Sequence, residues 1–404
     1  ANLTGTIARG RAAAVWRYIP LVVGEGVRDW LQEGLVEGVA HDGVFEVRGP
    51  LNKFPWSTAG GAKSDSAPQG RFMVQARVSG AAIDYEPQKT RTPAKTWPLL
   101  TNIEGRLLFE GFSMRIEADR ARTFGVDVGP TSAEIKQLNA GRDTLLSING
   151  SAQGQLQKFF DYVEASPVGG FVQHAFKGTR ASGDARLSLK LDIPLLHARD
   201  TRVAGGITMA GNRVDMPRPI PPLSEVTGTV NFTEKGASAK NVLAKPFAGE
   251  DASVNVVTSA DGTISITAAG AVNVADINYF APTPVVADIL SHARGTTPFV
   301  ATTTISRKTG VTITAQSSLQ GVSLDLPAPM NKSAQQSWPL RFSASPVSIR
   351  REPGVMISVD AGSRFDVLVQ LPAGTVDGRA SRLPVRGAVS IGTRSGLPAE
   401  GFSL

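Results

Sequence analysis

The 404-residue chain has no cysteine, which excludes disulfide frameworks, zinc ribbons and thiol catalysis together. Aromatic residues make up only 6%, little for a chain that must plug several compact cores. No run of eighteen apolar residues occurs, and the greasiest stretches are broken by Pro20, Gly24 or Gly26. No signal peptide is legible. Histidine is scarce: His41, His174, His197 and His292 lie far apart, without the spacings a metal needs. There is no Gly-x-Ser-x-Gly elbow, phosphate-cradling loop or dinucleotide fingerprint, and the carboxylates stand mostly alone. The expectation is a protein that is not an enzyme and carries no cofactor and no metal.

Charge narrows the partners. The net charge is +7, which permits binding to anionic surfaces. The basic residues are scattered, with Arg307-Lys308 and Arg350-Arg351 as the tightest pairs. No basic run interleaves with stacking aromatics, so nucleic acid is not an expected partner.

What is present is alternation. In ARLSLKLDIPL, Ala185, Leu187, Leu189, Leu191, Ile193 and Leu195 alternate with Arg186, Ser188, Lys190, Asp192 and Pro194. The same period of two runs through Phe72, Val74, Ala76 and Val78, through Ile264, Ile266 and Ala268, and through Val311, Ile313 and Ala315. It recurs at Phe365, Val367, Val369 and Leu371, and earlier at Phe45, Val47 and Leu51. Successive strand side chains point to opposite faces, so each segment has one dry face and one wet one, as antiparallel strands do. Turn residues separate the segments: Asp261-Gly262, Lys308-Thr309-Gly310, Asp377-Gly378 and Ser395-Gly396. Phe54-Pro55-Trp56 ends one strand abruptly, because proline denies the next ladder hydrogen bond.

Helical signals are few. Short amphipathic stretches fall at 13–35, 154–176 and 274–292, interrupted in places by Pro20, Pro282 and Pro284. Their spacing suggests a repeat. LTNIEGRLLF from Leu100 and LSEVTGTVNF from Leu223 share a pattern at an offset of 123 residues. The expected organisation is a partial module over 1–98, a repeat over 99–222, and a second repeat with following strands over 223–404. Together they build one continuous elongated, twisted, mostly antiparallel sheet with a few capping helices. A second sheet over the apolar face would make closed sandwiches, and a few helices would leave a groove. Alternation alone leaves both open.

Particular residues resemble a known family. Arg17-Tyr18-Ile19-Pro20, Trp30-Leu31 and the block Gly43 to Trp56 are similar to a block of the YhdP-type, AsmA-like proteins of Gram-negative bacteria. Trp97-Pro98-Leu99-Leu100 with Ile103 and Gly105 resembles that family's proline-led strand entry. Gly183-Asp184-Ala185 through Ile193-Pro194-Leu195 resembles its module-closing strand. Leu319, Gly321, Leu324-Asp325-Leu326-Pro327-Ala328-Pro329, Lys332 and Trp338-Pro339-Leu340 make the most specific match. The resemblance covers nearly the whole chain, and it departs from the family in lacking an amino-terminal anchor. Beginning at Ala1 without an initiator Met, the chain is expected to be an interior segment.

The resemblance implies a periplasmic segment of an inner-membrane-anchored protein, with a sheet curled into a β-groove (taco-like). It implies a lipid conduit moving phospholipid from inner to outer membrane, with acyl chains and components of both membranes as partners. The residues expected by alternation to line the groove are Phe72, Val74, Val78, Leu187, Leu189, Leu191, Ile264, Ile266, Phe365, Val367 and Val369. The alternative is a structural or adhesive β-repeat protein of closed sandwiches with no lipid cargo.

Overall fold

The computed structural model describes residues 1–19, 25–50, 70–87, 97–172, 174–217, 220–280, 284–306, 308–328, 330–349, 352–372, 375–376, 379–380, 385–391, 396–398 and 400–403. Pro20, Gly24, Leu51 to Trp56, Pro282, Arg307, Pro329, Arg350-Arg351, Asp377-Gly378 and Ser395 lie outside the described residues.

The fold is mainly β. Strands β1 (Asn2–Arg11), β2 (Leu35–Arg48), β3 (Arg71–Ile83), β4 (Leu100–Glu110), β5 (Ser113–Thr123), β6 (Val126–Val128), β7 (Thr131–Ile135), β8 (Leu145–Gln155), β9 (Arg180–Ser182) and β10 (Asp184–Pro194) come first, then β11 (Arg202–Asp215). They are followed by β12 (Leu223–Thr233), β13 (Gly236–Pro246), β14 (Ala252–Thr258), β15 (Ile264–Asn273), β16 (Ala293–Ser306), β17 (Gly310–Ser317) and β18 (Val322–Leu324). The last are β19 (Leu340–Ile349), β20 (Glu352–Asp360), β21 (Asp366–Pro372), β22 (Thr375–Val376), β23 (Arg379–Ala380), β24 (Arg386–Ser390) and β25 (Gly401–Ser403). Twenty-three strands belong to one mixed sheet, and β22 with β23 forms a separate hairpin. By packing, the chain divides into two units, Ala1–Thr208 and Met209–Leu404. That division falls within β11.

In the first unit the ladder is an antiparallel meander. β1 pairs with β2, β2 with β3, β3 with β4, β4 with β5, β5 with β7, β7 with β8, and β8 with β10. Directly paired residues share a face, so register converts the period of two into rows. One row reads Phe45–Val74–Phe109–Met114–Ile135–Leu146–Ile193; its neighbour reads Ala76–Leu107–Ile116–Ala133–Ile148–Leu191. Both are wholly apolar across every strand. The opposite face carries Arg77–Arg106–Glu117–Ser132–Asn149–Lys190.

Helices gather at one end of these strands. α1 (Glu25–Gly34) leads directly into β2, and α2 (Leu156–Ala165) leaves β8 directly, followed by α3 (Val168–Phe171). Trp30 Nε1 donates to the Tyr85 carbonyl at 3.0 Å, and the backbone N–H of Leu156 donates to Gly183 at 2.9 Å. Phe124 meets Tyr162 edge to face, and burial pushes the Tyr162 phenol up to about 12. Toward the same end of the strands, Ala81, Ile103 and Ala121 form a buried cluster with Val78, Ala118 and Val128 against it. At that end the strands bury apolar side chains against one another.

The second unit repeats this plan. Its meander runs β12–β13–β14–β15–β16–β17–β19–β20–β21–β24, and a parallel β25 pairs with β24. α4 (Val274–Ile277) and α5 (Pro284–Ser291) join β15 to β16. Val274, Ala293 and Val322 are buried there, with Leu290 and Leu324 packed against them. Each helical stretch read from the sequence is a broken element, and in one case proline shows why. Pro284 opens α5, where its missing N–H costs nothing.

The ten-residue sequence repeat is also a conformational one. β4 and β12 are both eleven residues long, as are β5 and β13. The third residue of β4 and of β12 is left-handed, Asn102 at φ 52 and Glu225 at φ 51, and each sits in a register shift. A bulge re-aims the strand at the same point in both copies. Next to the first bulge, a Cβ on Gly105 would stand 2.2 Å from the Glu117 carbonyl oxygen. Gly105→Ala is expected to destabilise the protein by roughly 1–3 kcal/mol, measured as a lowered urea midpoint. An unchanged midpoint would show that β4 and β5 separate freely there.

Candidate functional site

The largest chemical feature is the apolar face of each unit. In the first, Phe72, Val74, Val78, Leu187, Leu189 and Leu191 all project to the same face, and all are half-buried. Phe72 faces Val47, Val74 faces Phe45 and Phe109, Leu187 faces Ala152, and Leu189 faces Gly150. Val78 differs in packing against the cluster at the capped end. In the second unit Ile266 and Val369 share the row Val256–Ile266–Thr303–Ile313–Ala344–Ile357–Val369, and Val367 lies in the next row with Val359 and Phe342. Ile264 pairs with Ile305 on that face. Phe365 precedes β21, and its carbonyl accepts from Ala361 at 2.9 Å. Val369 is only 2% exposed, so its side chain contacts protein; the others of this set are half-buried.

Degree of burial is informative here. When a second sheet packs over a first at about 10 Å, the middle of the covered face becomes core. Leu107, Ile116 and Ile148 lie inside their row and stay half-buried, whereas Ile135 in the neighbouring row is buried. The longer row crosses seven strands, which at about 4.8 Å spacing makes it roughly 29 Å long.

The polar faces are solvated. Arg115 pairs with Glu134 at 2.8 Å directly across β5 and β7, and Arg71 reaches Glu46 at 3.4 Å and Glu110 at 3.3 Å. The exposed pairs Arg115–Glu134 and Arg71–Glu110 contribute little stability; their consequence is register, since a one-residue slip would put these charges on the apolar face.

Two arrangements were not visible in the sequence. His41 Nε2 lies 2.7 Å from Ser79 Oγ while its Nδ1 lies 2.9 Å from Asp42 Oδ2. The β2–β3 pairing and the left-handed Asp42 bring them together. This resembles a nucleophile relay, but the Asp42 side chain is 73% exposed, and the adjacent Gly80 N–H already donates to Glu104 at 3.0 Å. An acyl-transfer site needs an oriented, desolvated carboxylate and free oxyanion donors, and neither condition is met. Among the described residues no group of three or more His, Asp or Glu side chains could hold a metal.

The second is Lys332, 3% exposed. Its ammonium donates to the carbonyls of Leu319 and Val322 at 2.7 Å and of Ser333 at 3.1 Å. All three N–H donors are used, tying the Leu319–Ser333 loop to itself. Desolvation holds its pKa below the usual lysine range. No helix among the described residues is long and apolar enough to cross a membrane.

These features define a class: a β-meander protein with a largely apolar sheet face in each unit, helices at one end of the strands, and charge or hydroxyls on the other face. The chain belongs to the YhdP family, whose model, YhdP protein, matches residues 1–403. No curated protein and no solved structure matches it.

Proposed function

We propose that the apolar faces hold lipid acyl chains, and that the chain is a segment of a non-enzymatic conduit for phospholipid in the cell envelope. In this reading it works in the periplasm as part of an inner-membrane-anchored protein that feeds the outer membrane. The observation that carries the proposal is the half-burial of an unbroken apolar row in the middle of a sheet. Covering the part of such an aliphatic side chain that stays exposed is worth about 1 kcal/mol. Across two rows the gain is on the order of 10 kcal/mol, comparable to the stability of a whole domain. Membership of the YhdP family supports the same reading.

A photoreactive benzoylphenylalanine at Val74, on the apolar face, is expected to cross-link phospholipid in intact cells. The same group at Arg115, on the charged face of the same unit, is expected to give none. Equal labelling at both positions, or protein adducts alone at Val74, would point instead to a face closed by a protein partner.

A further inference from the structure

In the first unit, α2 leaves β8 at one end of the strands, and the β7–β8 and β10–β11 connections lie at the other. These two connections carry the same sequence pattern. Leu138 to Thr144 reads LNAGRDT and Leu195 to Thr201 reads LLHARDT, sharing leucine, a small residue and Arg-Asp-Thr at equivalent positions. Both fold it in the same way, as a single 3-10 turn over Gly141–Asp143 and over Ala198–Asp200. The Thr144 N–H donates to the Gly141 carbonyl at 3.2 Å, and the Thr201 N–H donates to Ala198 at 3.3 Å.

The twin turns are parts of one surface. The Leu195 N–H donates to the Thr144 carbonyl at 3.0 Å, and the Leu138 N–H donates to Phe112, in the β4–β5 turn, at 2.8 Å. Turns this short fold no side chain inward, so Leu138, Leu145, Leu195 and Leu196 stand between 40% and 64% exposed. Polar residues would close these turns equally well, and apolar clusters rimmed by charge mark a contact surface. The charge here is mainly positive. Arg142 and Arg199 occupy equivalent turn positions with Lys136 and Arg202 beside them, against only Asp143 and Asp200 in these two connections. Arg142, Arg199 and Arg202 are exposed and form no salt bridge among the described residues.

We infer that these turns dock the first unit on an anionic phospholipid bilayer, leucines entering the acyl boundary and Arg142 and Arg199 pairing with lipid phosphates. Interfacial binding grows with the apolar area inserted and with each basic side chain held at the surface, and a guanidinium matches phosphate geometry. The helical end lacks this complementarity. It too exposes apolar side chains, Val27 and Phe171 among them, but α1 and α2 together carry five carboxylates and two basic residues. An anionic surface therefore attracts one end of the unit and repels the other. A protein partner is the weaker fit, because interface anchors are mostly aromatic and these connections hold one aromatic ring, the half-buried Phe112. The inference does not depend on what covers the sheet face.

The test floats the full chain with vesicles of phosphatidylcholine alone, or of phosphatidylcholine and phosphatidylglycerol in equal parts. Wild type is expected to partition onto the anionic vesicles at least about tenfold more strongly, and to be released by added salt. Arg142→Glu with Arg199→Glu is expected to lower that partitioning at least about tenfold. Leu138→Ser with Leu196→Ser is expected to do the same, with an unchanged melting temperature because both side chains lie outside the core. Val27→Ser, on α1, and Leu189→Asp, on the sheet face, are expected to float as wild type does, which separates docking from acyl-chain binding along the rows. Equal flotation with both vesicle types, or full flotation of either double variant, overturns the inference. So does a wild type that stays unbound. If that unbound protein sediments as a dimer and the leucine variant as a monomer, the turns are a contact between copies of this chain instead.

Discussion

Leu189→Asp is expected to remove bound phospholipid while leaving the fold in place. Leu189 sits in mid-strand on the apolar face of β10, opposite Gly150, and is half-buried. An acyl chain over this position would have to desolvate the new carboxylate, so occupancy should fall at least about tenfold, equivalent to about 1.4 kcal/mol. With the face emptied, the carboxylate stays hydrated and the melting temperature should move by less than roughly 3 °C. The closed-sandwich alternative makes the opposite prediction. A carboxylate forced into a dry interface costs several kcal/mol, which would lower the melting temperature by roughly 10 °C or more. Lipid counting and a thermal melt on one sample therefore separate the two architectures.

Lys332→Met is expected to be the most destabilising single change in the second unit. Methionine fills much the same volume, but it leaves the carbonyls of Leu319, Val322 and Ser333 without the ammonium that all three share. Charge-assisted hydrogen bonds contribute about 1.5–3 kcal/mol each, and buried carbonyls without a donor add a penalty. A loss of about 3–5 kcal/mol is expected after partial relaxation, or roughly 6–20 °C for a unit of this size. Trp338 provides a local probe: it is 4% exposed, with the Arg364 guanidinium 5.0 Å from its ring. Its fluorescence should shift to the red before the rest of the unit unfolds. A change below about 1 kcal/mol would mean that water replaces the ammonium at little cost.

The strands were legible because a two-residue period survives any tertiary arrangement. Leu187, Leu189 and Leu191 had to share a face wherever β10 was placed, and the same holds for Phe72, Val74 and Val78. Breaks in the helical stretches were legible too, since proline and glycine act locally. The repeat could be read at Leu100 and Leu223, but its meaning could not. Only the backbone showed that Asn102 and Glu225, chemically unlike, occupy the same left-handed kink.

Contacts between distant residues were illegible for one physical reason: they depend on register, and register is set by pairings between strands far apart in sequence. His41 meets Ser79 only once β2 and β3 pair, and Lys332 reaches Leu319 and Val322 only once its own loop has closed. In unaligned sequence each is an isolated polar or basic residue. The same holds for the apolar face. Alternation determined that every strand would have one dry side, a local consequence of backbone geometry. Whether those dry sides line up into rows, and whether anything covers them, was decided by the meander, which joins them edge to edge and leaves Leu107, Ile116 and Ile148 half-buried.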